Sequence, residues 1–465
     1  MITAFEFRNW KSYRVSTLYV DPLTVLIGTN ASGKSNALDA LLFLNRIAHG
    51  EQLSAALQGD SASSAVRGGL EWAARRPGDS FSLQVKVRED ASTDYEYRIE
   101  ARIDTRARPH RCELMGERLV RTRYRLAADG RRGESEGSLQ LFGTNACEEG
   151  AASIETYLYD GAQDQGMRGG IPEIQEVERP GVSEPGVLSY RVLINFAPGT
   201  VRSLSRANAV LHQLMGQSTH EEIQQGVSAV VQALQGIFIL DPIPEHMRGY
   251  EPLAEQLEPD ARNIAGVLAA LPEPRRQEIE KRLTEYLNQL PERDIRRVYT
   301  ETVGKFDADA MLYCDEQWEE GGEPTVVDAR GMSDGSLRFL AILVALLTRP
   351  EGSLLVVEEV GNGLHPSRAQ LLLGMLREEA TRRRVDVIVT THNPALLDAM
   401  GTEMVPFITV AHRDAVSGSS HLTLLEDLGD LPKLLAQGTV GRLSSCGLIE
   451  ASLQSGPHRL RTGRP

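Results

Sequence analysis

The chain predicts an α/β fold whose two α/β halves are separated by an antiparallel β subdomain and a helical insertion. Three observations carry this. The apolar run LTVLI at 23–27 is followed by GTNASGKS and then by apolar residues at helical spacing. A second apolar run, LLVV at 354–357, ends in Glu358 and Glu359. Between them, residues 80–145 break into short alternating segments separated by turn signals, the pattern of an antiparallel meander.

The elements follow in order. ITAFEF, STLYV and LTVLI read as strands, the last one buried. Leu38, Leu41, Leu42 and Ile47 then mark a helix, with Gly50 placed for its C-terminal cap. SFSLQVKV, YEYRIEARI, RCELM, LVRTRYRL and GSLQLF make the meander. Residues 150–186, rich in Gly, Pro and Glu, read as a surface loop. Residues 203–235 and 260–294 read as helical, with proline-rich breaks at 241–244 and 272–274, and neither sustains a heptad pattern long enough for an extended coiled coil. From 325 the chain returns to α/β character, with apolar strands at 353–357 and 385–390. The expected organisation is 1–150, 151–324 and 325–465.

Composition narrows the class. At 465 residues, 41% hydrophobic and 25% charged, the chain can bury a core without disulfides. Cys112, Cys147, Cys314 and Cys446 form no CxxC pair, which argues against a zinc site and a secreted disulfide scaffold. The N-terminus lacks the apolar core of a signal peptide, and no run approaches the ~20 apolar residues of a membrane span. The expectation is a soluble, cytoplasmic protein with no membrane partner.

The net charge is −14, so a nucleic-acid site would have to be a local patch. Six lysines against 44 arginines point to a GC-rich bacterial genome and make a lysine inside a motif less apt to be chance. Residues 98–132 hold eleven arginines against five acids, and Arg102, Arg106 and Arg108 would share one strand face if alternation held. This segment reads either as a surface for nucleic-acid phosphates or effector docking, or as a solvated face.

Four motifs carry chemistry. Gly28-Thr29-Asn30-Ala31-Ser32-Gly33-Lys34-Ser35 matches GxxxxGKS in its required setting, after a buried strand and before a helix. Its glycines let backbone N–H groups close around phosphates, Lys34 reaches the β/γ-phosphates, and Ser35 holds Mg²⁺. Glu358 and Glu359 emerge at the carboxyl end of a strand, where ligands bind in open α/β sheets. One carboxylate can orient Mg²⁺ and the next can polarise an attacking water. Met332-Ser333-Asp334-Gly335-Ser336-Leu337-Arg338 precedes the apolar helix FLAILVALL, with Ser333 as N-cap. Val387 to Pro394, VIVTTHNP, is an apolar strand ending in His392, 33 residues after Glu359.

In this order the four resemble ABC-type P-loop ATPases. GTNASGKS resembles their Walker A, MSDGSLR the LSGGQ-type signature, VVEE the Walker B with its catalytic glutamate, GNGLHP at 361–366 the D-loop, and TTHNP the switch-histidine loop. The N-terminal FRNWKSYR resembles RecF-like and SMC-like members rather than transporter ATPases. Ser333 also lies 298 positions after Ser35, far beyond a transporter's usual insertion. Within that branch the chain is most like the short stand-alone ATPases of bacterial anti-phage defence and abortive-infection systems, such as the Septu and PARIS ATPases.

The resemblance implies an ABC-type head that dimerises head to tail, or assembles further, around ATP and Mg²⁺. Lys34, Glu359 and His392 would be catalytic. Gly28, Asn30, Ser32, Gly33, Lys34, Ser35 and Asn36 would bind nucleotide from one subunit, Ser333 and Gly335 from the other, and Ser35 and Glu358 would hold the metal. Asn9 and Lys11 would lie near the base or ribose, and Gln140 is a candidate for the Q-loop glutamine. A separate effector, such as a nuclease, is the implied partner, because the chain shows no nuclease signature. The other readings are a RecF/SMC-like DNA repair ATPase and a scaffold that uses ATP only for assembly.

Overall fold

The computed structural model describes residues 1–59, 64–145, 151–159, 200–290, 295–318, 322–361, 366–399 and 401–455. They form two compact units: residues 1–45 with 235–465, and residues 46–234. The limits fall at 45/46 and 234/235, not at 150/151 and 324/325, because strands from both ends of the chain share one sheet.

The first unit opens with the antiparallel hairpin β1 (Ile2–Trp10) and β2 (Tyr13–Tyr19), followed by β3 (Leu23–Ile27) and the helix Lys34–Ala48. Every residue of β3 is buried, and four of its five are apolar, with Thr24 the exception.

The second unit is an antiparallel meander of six strands: β4 (Ser80–Arg88), β5 (Thr93–Asp104), β6 (Arg111–Leu126), β7 (Arg132–Thr144), β8 (Ser153–Leu158) and β9 (Thr200–Ser205). RCELM and LVRTRYRL, expected as two strands, are one. Gly116 pairs with Glu100 inside the ladder, and the chain absorbs the irregularity as a register shift at Glu100/Ala101 instead of turning. The expected loop 150–186 contains β8, and its residues 160–186 lie outside the described residues. The expected helix 203–235 begins instead with the end of β9; helix is confined to Val210–Gln213 and Glu221–Gln235. At Gly226 the latter packs so closely that a Cβ would stand 2.4 Å from Leu141 Cδ1. Nearby, the buried Glu117 carboxylate accepts the backbone N–H groups of Val210 (2.6 Å) and Leu211 (2.7 Å) and the Tyr97 hydroxyl (3.0 Å). Burial pushes its pKa up to about 7 even against those three donors.

The chain then rejoins the first unit with β10 (Ile237–Leu240), β11 (Glu251–Pro252), β12 (Ile295–Val303), β13 (Asp309–Glu316), β14 (Thr325–Asp328), β15 (Leu354–Val357), β16 (Asp386–Thr391), β17 (Ile408–Arg413) and β18 (Ser420–Leu424). In this unit the main sheet runs β10-β15-β16-β3-β17-β18-β2-β1, and its first five strands are parallel. A smaller antiparallel sheet gathers β11, β12 and β14 around β13. The stretch 260–294, expected as helix, forms the helices Ile264–Ala270 and Glu273–Leu287, while β12 and β13 add strand to what was read as a loop and helical insertion. The nearly fully buried helix Asp334–Thr348 lies in the core of this unit with β3, β15 and β16. Among the described residues, no helix is long and apolar enough to cross a membrane.

Candidate functional site

The carboxyl ends of three adjacent parallel strands bring together segments far apart in the sequence. Val357 of β15 pairs with Val389 of β16, which pairs with Val25 of β3, and Thr391 pairs with Ile27. The phosphate loop therefore leaves β3, the two glutamates leave β15 and His392 leaves β16 at one edge of the sheet, where loops of this architecture hold ligands.

The loop is shaped for a phosphate chain. Gly28 (φ +145°) and Gly33 (φ +118°) adopt backbone conformations that side chains avoid. A Cβ on Gly28 would stand 2.2 Å from the Ala411 carbonyl oxygen, and one on Gly33 2.7 Å from Ser420 Oγ. Lys34 Nζ folds back onto the carbonyl oxygens of Gly28 (2.6 Å) and Thr29 (3.3 Å). Burial holds this ammonium below its usual range, and the negative charge of Glu359 opposes the shift. The buried Ser32 Oγ has no hydrogen-bond partner. An orphaned buried hydroxyl, a Cβ-free cradle and a lysine ammonium together fit a bound phosphate chain. Asn30 is exposed on the loop, and Ser35 is exposed one residue into the helix.

The N-terminal motif clamps this helix. The buried Tyr13 hydroxyl donates to the Gly33 carbonyl (2.9 Å), and Trp10 Nε1 donates to the Asn36 carbonyl (2.7 Å). The Asn36 side chain donates to Ser12 Oγ (2.7 Å), so its amide positions the loop. Lys11, expected near the base or ribose, is buried against Asp39 at 2.5 Å; a cation so enclosed requires a carboxylate. Its neighbour Asn9 is left-handed (φ +51°).

Beside the loop, Glu359 is held from three sides. Its backbone is left-handed (φ +48°), a strained state for a non-glycine residue costing on the order of 1–3 kcal/mol. Its N–H donates to Thr390 Oγ1 (2.8 Å), and the next N–H, from Val360, donates to the Thr390 carbonyl (3.0 Å). Its carboxylate Oε2 lies 2.7 Å from His392 Nδ1. Glu358 is anchored through its N–H to the Leu240 carbonyl at 3.1 Å. The hydroxyl of Ser35 and the carboxylate of Glu358 are hard oxygen donors of the kind Mg²⁺ takes. Thr390 is the site residue the sequence reading passed over. It stands within the TTHNP segment, but its role rests on a contact 31 positions back.

Ser333 caps the helix Asp334–Thr348 as expected: its Oγ accepts the Ser336 N–H at 3.1 Å. Ser333 is exposed and Gly335 is buried. The segment is tethered to the chain just past β10, the strand three positions from β3 in the sheet. At ~4.8 Å per strand, β10 itself stands about 14 Å from β3. Gln140 lies on β7, in the other unit. Of the D-loop segment 361–366, residues 362–365 lie outside the described residues.

The arginine-rich segment differs from the expected patch. β5 ends at Asp104, so Arg106 and Arg108 sit in the connection to β6 rather than on a strand face with Arg102. Among the described residues, at least eight of the eleven arginines form ion pairs with acids: Arg98 with Glu100, Arg111 with Glu113, Arg118 with Glu96, Arg121 and Arg123 with Glu222, Arg125 with Glu136, Arg131 with Asp129, and Arg132 with Asp94. Most of the positive charge is thus balanced within the unit, in keeping with a solvated face.

Comparison with known proteins bears on this site. A family described as "AAA domain, putative AbiEii toxin, Type IV TA system" matches residues 23–126 and 237–398, more than half of the chain. The chain belongs to this AAA family. The two matched segments carry the phosphate loop, the signature segment, both glutamates and His392. No curated protein matches the chain. Similar solved structures include an SMC head bound to the C-winged helix domain of ScpA (12% identity, TM-score 0.44, covering 91% of this chain and 97% of that one). Another is the SMC head domain from Thermotoga maritima (13%, 0.37, 91% and 98%). A third is an Smc head with an extended coiled coil bound to the C-terminal domain of ScpA derived from Pyrococcus furiosus (13%, 0.43, 94% and 98%). This AAA-family chain has a mixed α/β fold.

Proposed function

We infer that this AAA-family protein is an ATP-hydrolysing switch that dimerises head to tail around ATP, and that it acts as the ATPase component of a bacterial anti-phage defence system, of the Septu or PARIS kind, controlling a separate effector. The observation carrying the ATPase reading is the convergence of the Lys34 loop, Glu359 and His392 at one sheet edge. Lys34 would neutralise the β/γ-phosphates, and the orphaned Ser32 hydroxyl and the Gly28–Gly33 cradle would bind their oxygens. Glu359, oriented by His392 and Thr390, would take the proton of an attacking water. Ser35 and Glu358 would hold Mg²⁺, which supplies charge neutralisation at the phosphates. The family description, with its words "putative AbiEii toxin, Type IV TA system", supports the defence setting.

Lys34→Ala tests the phosphate loop. Hydrogen bonds to charged groups contribute ~1.5–3 kcal/mol, so ATP affinity measured by calorimetry is expected to fall at least about tenfold. Unchanged affinity would remove the loop from the mechanism. For the setting, the chain expressed with its neighbouring gene is expected to lower phage plating, and Lys34→Ala to restore it. Equal plating with and without the wild-type pair overturns the defence reading and leaves the ATPase reading standing.

A further inference from the structure

The signature segment is gripped by one side chain from a distant part of the chain. Arg248 ends the short 3₁₀ turn Pro244–Arg248 that follows β10. Its Nη1 donates to three backbone carbonyls, those of Ala329 (3.0 Å), Arg330 (2.8 Å) and Met332 (2.9 Å). Its Nη2 donates to Asp334 Oδ1 at 2.5 Å. An Nη nitrogen carries only two hydrogens, so three acceptors at one of them include a shared donor. The carbonyls of 329, 330 and 332 thus point to one centre, which fixes the backbone immediately before Ser333. Ser333 follows directly and is exposed, and Asp334, held by the same guanidinium, is exposed too.

The same contact answers a problem of charge. Asp334 stands where the LSGGQ-type pattern has glycine, in the first turn of the helix, and its side chain is 63% exposed. A carboxylate there would repel a phosphate approaching Ser333. Arg248 neutralises it.

We propose that Arg248 is the positioning residue of the signature segment: it sets the backbone that presents Ser333 and cancels the charge of Asp334, so that the segment can meet the nucleotide of a second copy. The proposal rests on the head-to-tail reading above. Arg248 itself need not touch nucleotide. It acts through the segment it holds.

The test uses the full chain, with four readouts: fluorescent-ATP affinity, turnover, ATP-dependent self-association by gel filtration, and thermal melting. Arg248→Gln is expected to keep nucleotide affinity within about twofold, because the phosphate loop lies on other strands, while kcat and ATP-dependent association fall at least about tenfold. Adding Asp334→Asn is expected to return part of that loss, since the uncancelled carboxylate is then gone. Arg248→Lys, which keeps the charge but cannot span four acceptors, is expected to fall between wild type and Arg248→Gln. If Arg248→Gln turns over and associates like wild type while Ser333→Arg is inactive, the proposal is overturned and the head-to-tail reading stands. If Arg248→Gln loses nucleotide affinity together with its cooperative melt, or if Asp334→Asn returns nothing, Arg248 is only a structural tie and the proposal fails. If Ser333→Arg itself hydrolyses ATP at the wild-type rate, it is the head-to-tail reading that fails.

Discussion

Glu359→Gln is expected to leave ATP binding in place while turnover falls by about 10²- to 10⁴-fold, the range for losing a general base. The amide keeps the shape of the side chain and an oxygen near His392 Nδ1, now 2.7 Å from the carboxylate, but it cannot accept a proton. The backbone contacts that hold the residue in its left-handed state, from the Glu359 and Val360 N–H groups to Thr390, do not involve the side chain and survive the change. The variant should therefore fold like wild type. It should also trap the ATP-bound assembly, visible as a persistent larger species on gel filtration. Single-turnover hydrolysis of labelled ATP checks the chemistry directly. Near-normal turnover would move the base elsewhere, with Glu358 the next group at the same strand end. Thr390→Val probes the support: Glu359 would keep its carboxylate but lose the hydroxyl that fixes its N–H.

What could be read from the sequence was local. The loop after β3, the glutamates after β15 and the histidine after β16 each follow a strand with a short apolar run, and strands buried on both faces leave that mark. What escaped depends on distant partners. β10 is four residues, IFIL, directly after Gly236 at the end of a helix; its strand character comes from pairing with β15 more than a hundred positions later. β12 and β13 carry interrupted alternation, Val298 and Thr300 buried on one strand and Leu312 and Cys314 on the other, and this could have marked them. The charge balance of the arginine-rich segment was hidden for a related reason. Counting acids within 98–132 omits Asp94, Glu96, Glu136 and Glu222, which the meander and the helix Glu221–Gln235 bring alongside. Arg248 had no sequence signal, since three of its four acceptors are backbone carbonyls.

The head-to-tail arrangement has its own test, with an outcome that no single-copy site would give. Ser333 belongs to a segment tethered, through Arg248, to the chain that follows β10, and β10 stands three strands from β3 in the sheet. In the head-to-tail reading, two copies related by a twofold axis supply each site with Lys34 of one copy and Ser333 of the other. Ser333→Arg is expected to bind ATP nearly as wild type, because the cradle at Gly28, Gly33 and Lys34 is untouched. In the head-to-tail reading closure should be blocked, because a bulky cation enters where the Ser333 hydroxyl would meet the γ-phosphate. Lys34→Ala and Ser333→Arg should each be inactive alone. In a mixed dimer, Lys34 of the Ser333→Arg copy faces Ser333 of the Lys34→Ala copy, and one of the two sites is rebuilt. Random 1:1 mixing makes about half of the dimers mixed, so about a quarter of wild-type turnover should return if the sites act independently. Recovery in the mixture with neither variant active alone would require composition in trans. Wild-type hydrolysis by Ser333→Arg alone would reduce MSDGSLR to the start of a helix and remove the sandwich.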